Sequence, residues 1–434
     1  MMYKSKSSQQ SAISTILQKL SNVNKNKIIL IILSIWFLIF WLNESFLPFL
    51  TISKCKWPKL PNNENQTNIL LIADPQLIDN HTYPGRNSYL LKLSQHTVDQ
   101  YLKRNYQNLL NLKPKYTIFL GDLLDNGRGS KDEYFNQQVE RFYKIFPKSQ
   151  SIYTNLPGNH DIGFGDLIKP EIKTRFENSF GKSNIAITIN EIEFIMLDSI
   201  SLSSSKDLIN HESKKFLNNL KQKPKLDPRI LLTHVPLYRD PTASCGPNRE
   251  KLKFDSLGYG YQYQNSLTKE ISSNILKIIK PDLIFSGDDH DYCDYLHKLD
   301  DESQQQIREI TIKSISMAMG IWYPAVQLLS FEKISDPTSK SNVKLNYKTE
   351  ICYLQTPYYN IITYIILSIF TFIFIIYQNL KLKLNFQKNN EPILPFNNYK
   401  VNTILKKGII WDCFKDCFII GGLVILIYRV FIVK

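Results

Sequence analysis

The feature that most constrains this chain is a series of five short apolar runs, each of which hands over to a residue able to hold a metal or move a proton. Asn68-Ile-Leu-Leu-Ile-Ala-Asp74 stops at a carboxylate before Pro75, and Tyr116-Thr-Ile-Phe-Leu-Gly-Asp122 stops at another behind a glycine. Ser151-Ile-Tyr-Thr-Asn-Leu156 leads into Pro157-Gly-Asn-His-Asp161, Ile230-Leu-Leu-Thr-His234 ends in an imidazole before Pro236, and Asp282-Leu-Ile-Phe-Ser-Gly287 runs into Asp288-Asp-His290. Runs this short, alternating with amphipathic segments, are the pattern of an α/β fold. Such folds bind ligands at the carboxyl ends of their strands, so the five terminal residues fall on one edge. Taken singly, an Asp after a strand is a turn or a helix cap, and a lone His is satisfied structure. Five in order point to a site. Apolar spacing and bounding Pro or Gly residues predict helices near Ser88–Leu112, Lys131–Phe146, Asp207–Lys221 and Ser266–Lys280.

Longer apolar runs flank this body. Residues 28–50 open with 15 residues free of charge, Ile28 to Leu42, and reach membrane-spanning length. Asn-Glu-Ser-Phe follows them where a cleaved signal would place small residues, so an uncleaved signal anchor is expected. Tyr358 to Tyr377 is 20 residues without a charge, bounded by tyrosines as in an interfacial belt. Phe418 to Val433 is a possible third span, interrupted by Arg429. The formal charge of +14 would suit nucleic acid, but it is concentrated beside these runs: residues 1–27 carry five Lys and no acid, and residues 378–408 carry six Lys against Glu391. Residues 43–356 are left nearly neutral, which excludes a nucleic-acid groove on the folded body. The positive-inside rule places both basic segments in the cytosol and the body on the lumenal or extracellular side. Sequons at Asn43, Asn65 and Asn80 agree with that side, as does an even set of cysteines, Cys55, Cys245, Cys293 and Cys352, with three possible pairings. Cys413 and Cys417 have no partner ligands and do not read as a zinc site.

Gly-Asp-x-x-Asp at 121–125, Gly-Asn-His-Asp at 158–161 and the lone His234 together resemble the calcineurin-like metallophosphoesterase superfamily across residues 69–290. The resemblance implies a four-layer α/β/β/α sandwich at 65–356, between transmembrane helices, and two-metal hydrolysis. In that chemistry two divalent ions about 4 Å apart activate water and clamp phosphoryl oxygens during in-line displacement. By block position Asp122 would touch both ions. Asp74, Gln76 and His290 would complete one ligand set, and Asn159, His234 and Asp288 the other. His160 would protonate the leaving alkoxide, with Asp161 fixing its tautomer. Gln76 stands where the superfamily has His, and Asp288 replaces the first His of its Gly-His-x-His block. Oxygen for nitrogen at two positions favours Mn²⁺ over zinc or iron.

A wider motif set resembles the fungal cell-division-control protein 1 group, itself similar to the animal post-GPI-attachment phosphoesterase. It comprises Ile72–Gln76, Tyr83–Arg86, Leu232–Tyr238, Cys245–Arg249, Gly260–Asn265, Ser286–Cys293 and Lys313–Gly320. That resemblance implies a manganese phosphodiesterase of the endoplasmic reticulum and early Golgi membrane. It would remove ethanolamine phosphate from a mannose of protein-linked GPI anchors and so promote their export by p24-type cargo receptors. Arg86, Arg128, Arg239 and Arg249 are candidates to bind phosphate, and Tyr261 to face an ethanolammonium group. Two rivals stand beside this reading: hydrolysis of another lumenal lipid or nucleotide-sugar phosphoester, and a non-catalytic trafficking scaffold.

Overall fold

In strand β1 (Thr67–Ile72) the residues Ile69 and Leu71 point to one face and Leu70 and Ile72 to the other, and all four are fully buried. A strand apolar on both faces has to lie between two covering layers. The computed structural model describes residues 25–61, 65–251, 253–298, 306–335, 343–389 and 398–432, and it places β1 in that position. The remaining strands are β2 (Tyr116–Phe119), β3 (Ile152–Tyr153), β4 (Ile185–Ile189), β5 (Ile192–Met196), β6 (Arg229–Leu232), β7 (Tyr259–Gly260), β8 (Tyr263–Gln264), β9 (Leu283–Ser286), β10 (Cys293–Lys298), β11 (Gln306–Thr311), β12 (Ala325–Ser335) and β13 (Val343–Tyr353).

One sheet runs β13-β12-β1-β2-β3 and the other β10-β11-β9-β6-β5-β4, while β7 and β8 form a small hairpin. Between the sheets, Ile69, Leu71 and Ile118 pack with Phe194, Ile230, Phe285 and Ile310. Outside the first sheet, Leu70 and Ile72 pack with Leu102, Leu109 and Phe142; outside the second, Leu231 and Ile284 belong to the same cluster as Leu217 and Ile275. These are the four layers α/β/β/α. The covering helices are Ser88–Leu110, Asp132–Ile145, Asp207–Gln222 and Lys269–Ile279, within three residues of the expected bounds. β1, β2 and β3 are mutually parallel, as are β5, β6, β9 and β11, so the ends of β1, β2, β6 and β9 that carry the motif residues point the same way along their sheets.

Two disulfides close the open choice of pairing, Cys55–Cys352 and Cys245–Cys293, and Cys413 and Cys417 belong to neither. Residues 1–47 and 357–434 form a second compact unit, described only in part. Its helices Pro357–Asn389 and Asn398–Ile432 pack with the segment from Lys25 around Ile28, Ile32, Trp36, Phe40, Ile375 and Ile420. Among the described residues, two helices are long and apolar enough to cross a membrane, Lys25–Ser53 and Pro357–Lys381, which points to a membrane protein. The possible third run is the end of a helix that begins at Asn398, where Asp416 pairs with Lys25 at 2.8 Å. Residues 1–24 of the expected basic N-terminus and 390–397 of the expected basic loop lie outside the described residues. Asn43 is buried in a π-helical turn, Leu42–Phe46, and is no glycan acceptor, whereas Asn65 and Asn80 are exposed.

Candidate active site

Five of the seven expected metal ligands reach the site on sharply turned backbone past the ends of β1, β2 and β9. Asp74, Gln76, Asp122, Asp288 and His290 all take left-handed backbone, with φ between +35° and +67°. Non-glycine residues rarely adopt that conformation, and where they do it marks a constrained site. Gly158 makes room for Asp122: a Cβ there would collide with the Asp122 carboxylate.

His234 sits at the centre. Its Nδ1 donates to the Leu120 carbonyl at 2.7 Å, which fixes the ring and aims Nε2 inward. Around Nε2 lie Asn159 Oδ1 at 3.3 Å, Asp122 Oδ1 at 3.4 Å and Asp288 Oδ1 at 3.4 Å. These four residues are one of the two ligand sets expected from the sequence. Asp74, Asp122 and His234 each offer a ligand atom, all three within 4.8 Å of one another. Asp74 Oδ1 accepts the Asp288 amide at 3.1 Å, and the Gln76 amide donates to the Asp122 carbonyl at 2.9 Å. His290 arrives through the same loop, its carbonyl held by the Ser314 amide at 3.0 Å.

The electrostatics call for cations. Burial pushes Asp74 well above the usual carboxylate range, and Asp122 and Asp288 raise it further against the pull of His234. Burial likewise raises Asp288. Asp122 is opposed by burial too, but His234 and His160 hold it well below that range. His290 is held down to about 3 by burial, so its imidazole is neutral and offers a lone pair. Burial works against a charged His234, yet Asp122 and Asp288 outweigh it and raise the imidazole well above its usual range, so this group of buried carboxylates draws positive charge to itself, a demand that bound cations would meet. Asp74 Oδ2 and Gln76 Oε1 are buried and have no hydrogen-bond partner among the described residues. Both are oxygens, and both fit a divalent cation.

One expected role changes. The Asp161 carboxylate does not hold the His160 ring: it accepts the backbone amides of Leu123 at 3.0 Å, Leu124 at 2.9 Å and Gly158 at 2.8 Å. The partner of His160 is Asp125, whose carbonyl lies 2.6 Å and carboxylate 3.5 Å from Nδ1. Asp125 also accepts Gln76 Nε2 at 3.1 Å and the Thr82 hydroxyl at 2.7 Å. It is the closing Asp of Gly-Asp-x-x-Asp, visible in the sequence but given no role there. Burial works against a charged His160, yet the Asp122 charge and the Asp125 contact outweigh it and raise the imidazole to about 9.

The basic candidates separate by environment. Arg128 lies at the site, donating to the Asn159 carbonyl at 2.9 Å and to the Gln262 carbonyl at 3.4 Å. Tyr261 is its neighbour on the β7–β8 hairpin, which also meets Asn159 Nδ2 through Gln262. Arg239 is not a phosphate binder: it is buried against Phe254, paired with Glu309 at 3.0 Å. Arg249 is also enclosed, gripping Asp289 between Asp288 and His290, and so supports the ligand loop. Arg86 is exposed, stacked 3.5 Å above the Tyr83 ring and bonded to Ser94.

Residues 67–292 match the calcineurin-like phosphoesterase family. The chain is 38% identical to cell division control protein 1 of Saccharomyces cerevisiae over 349 residues, covering 77% of this chain and 71% of that one. It is 29% identical to a metallophosphoesterase 1 homologue of Caenorhabditis elegans, covering 62% and 72% of the two chains. Metallophosphoesterase 1 of Ailuropoda melanoleuca is 28% identical over 63% of this chain and 73% of its own.

Proposed function

This chain belongs to the calcineurin-like phosphoesterases, metal-dependent hydrolases of phosphate esters, and we propose that it removes ethanolamine phosphate from a mannose of protein-linked GPI anchors. The observation that carries the reading is a phosphoesterase site in a chain with two helices able to span a membrane. A substrate anchored in the same bilayer gains effective concentration from that arrangement, and a soluble nucleotide gains none. The motifs shared with the cell-division-control protein 1 group support this substrate. Localisation to the endoplasmic reticulum and early Golgi, a lumenal catalytic unit and hand-over to p24-type cargo receptors belong to the same proposal.

Asp74, Gln76, Asp122 and His290 would hold one divalent cation, and Asp122, Asn159, His234 and Asp288 the other. When bound, the pair supplies an activated water and charge for the phosphoryl oxygens. Manganese suits the oxygen donors of Gln76 and Asp288. Arg128 stands at the rim, fixed by two carbonyls, to orient the phosphodiester. His160, with Nδ1 on the Asp125 carbonyl, has Nε2 left to pass a proton to the departing mannose oxygen. The test is mass spectrometry of GPI glycans from cells lacking the protein. The glycans should retain one extra ethanolamine phosphate on a mannose, and His160→Ala should fail to remove it. Unchanged glycan mass in the null strain would overturn the substrate assignment.

A further inference from the structure

The chain enters and leaves the catalytic unit at one place, and that place is the edge that holds the site. β12 is antiparallel to β1 with Leu71 opposite Gln327, so Ala325 lies beside the end of β1 that leads to Asp74. Ala325 in turn pairs with Tyr353 and Val326 with Cys352, which puts the last residues of β13 on the same edge. Cys352 is joined to Cys55, with their Cα atoms 5.5 Å apart, two residues after the helix that ends at Ser53. From Tyr353 the chain reaches Pro357, where the second apolar helix begins, within about 14 Å. Exit at the opposite edge, where the parallel strands start, would have turned the site away from any membrane.

The surface around the site carries exposed apolar side chains. Leu257 and Tyr259 stand on the segment whose hairpin touches Asn159, and are 63% and 80% exposed. Trp322 and Tyr323 precede β12; their amides donate to Glu250, which pairs with Lys313, which pairs with Asp291 of the ligand loop. Leu90 is in the first turn of helix Ser88–Leu110, shortly after Thr82 meets Asp125. Tyr and Trp with a few Leu, flanked by exposed Lys92 and Lys253, is the composition that partitions to a lipid–water interface.

We infer that this edge rests on the bilayer: Leu90, Leu257, Tyr259, Trp322 and Tyr323 sit at headgroup level, and the metal site opens toward phosphodiesters at the membrane surface. The inference concerns orientation and is independent of which phosphodiester is cleaved. It is tested on the full chain, with Cys413→Ser and Cys417→Ser, in nanodiscs of phosphatidylcholine and phosphatidylserine. A fluorophore is attached at Leu90→Cys, at Leu257→Cys, or at Lys223→Cys before β6. Quenching by lipids carrying a shallow spin label should exceed that at position 223 by about threefold at 90 and 257, as expected for side chains within the interface. Equal quenching at the three positions would overturn the inference. A second measurement uses Leu90→Ser, Leu257→Ser and Trp322→Ser together. Turnover of a nitrophenyl phosphodiester on a dialkyl lipid in the nanodisc should fall about tenfold, in line with lost interfacial anchoring, while that of soluble bis(p-nitrophenyl) phosphate stays the same. Loss of both activities in parallel, or of neither, would count against it.

Discussion

Replacing Asp161 by Asn separates a role in catalysis from a role in holding the loops. The Asp161 carboxylate meets three buried amides: Leu123 and Gly158 on Oδ2, and Leu124 on Oδ1. Asn keeps one acceptor oxygen and sets an amide nitrogen against the remaining donor, which strands at least one buried N–H at a cost of about 1–3 kcal/mol. Burial, reinforced by the Asp122 charge, pushes the Asp161 carboxyl up to about 7, so the native anion is itself held at a cost that neutral Asn escapes. The loss should therefore lie at the low end, about 1–2 kcal/mol, or a fall of roughly 2–8 °C in melting temperature. Asp161→Ala strands all three donors, about 3–9 kcal/mol against a total stability of about 5–15, and should melt well below Asp161→Asn. The assay is melting in detergent beside a pH–rate profile on a soluble phosphodiester. The acid is the protonated His160, so the rate falls as pH rises through its pKa. That value is about 9 before metal binds, and cations beside Asp122 draw it lower. Asp125→Asn removes a contact that raises it and should move this limb to lower pH, whereas Asp161→Asn should leave the limb in place. His160→Ala should cut the rate about 10²- to 10⁴-fold with metal content unchanged. Native melting of Asp161→Asn with a displaced alkaline limb would show that Asp161 serves His160 after all.

In sealed microsomes, residues 51–350 should resist protease, and Asn65 or Asn80 should carry glycan; digestion of the catalytic unit without detergent would invert the proposed topology. Restoring nitrogen donors with Gln76→His and Asp288→His should raise affinity for Zn²⁺ relative to Mn²⁺, read by competition titration. Full reactivation of the unmodified apo-protein by Zn²⁺ as well as by Mn²⁺ would contradict the oxygen-donor argument.

Strand ends and ligands were legible because they rest on local order: an apolar run fixes a strand, and the next residue falls on its carboxyl edge. Side-chain partners were not. Asp161 follows His160 in the sequence, yet in the short helix Asn159–Ile162 consecutive residues diverge by about 100°, so the two side chains part and Asp161 turns back to its own loop. Asp125 meets His160 across 35 residues, a contact that exists only once β2 and β3 lie side by side and bring the loops beyond them together. Arg239 and Arg249 read as phosphate binders because charge is visible in a sequence and burial is not; Glu309 and Asp289 claim them. The cysteine pairing needed the β12–β13 register that brings Cys352 to the edge.

Left-handed backbone at five of the seven proposed metal ligands follows from that same edge. Side chains within a strand stand on the faces of the sheet, so β1, β2 and β9 bring donors past their ends to one spot through sharply turned backbone at Asp74, Gln76, Asp122, Asp288 and His290. Glycine would make such turns without strain, but glycine has no ligand atom. Asp and His, four of these five residues, are among the side chains that tolerate φ > 0 best, and at about 1 kcal/mol or more per residue the four together with Gln76 still cost on the order of 5 kcal/mol. The surroundings hold them there: the Asp122 carbonyl takes the Gln76 amide, Asp74 Oδ1 takes the Asp288 amide, and Ser314 bonds both the Asp74 and His290 carbonyls. Each bond joins one ligand-bearing turn to another or to the β11–β12 connection, so no turn can relax alone. These bonds thus keep the donors converged against the strain before any cation arrives, which is the condition under which binding does not have to order them.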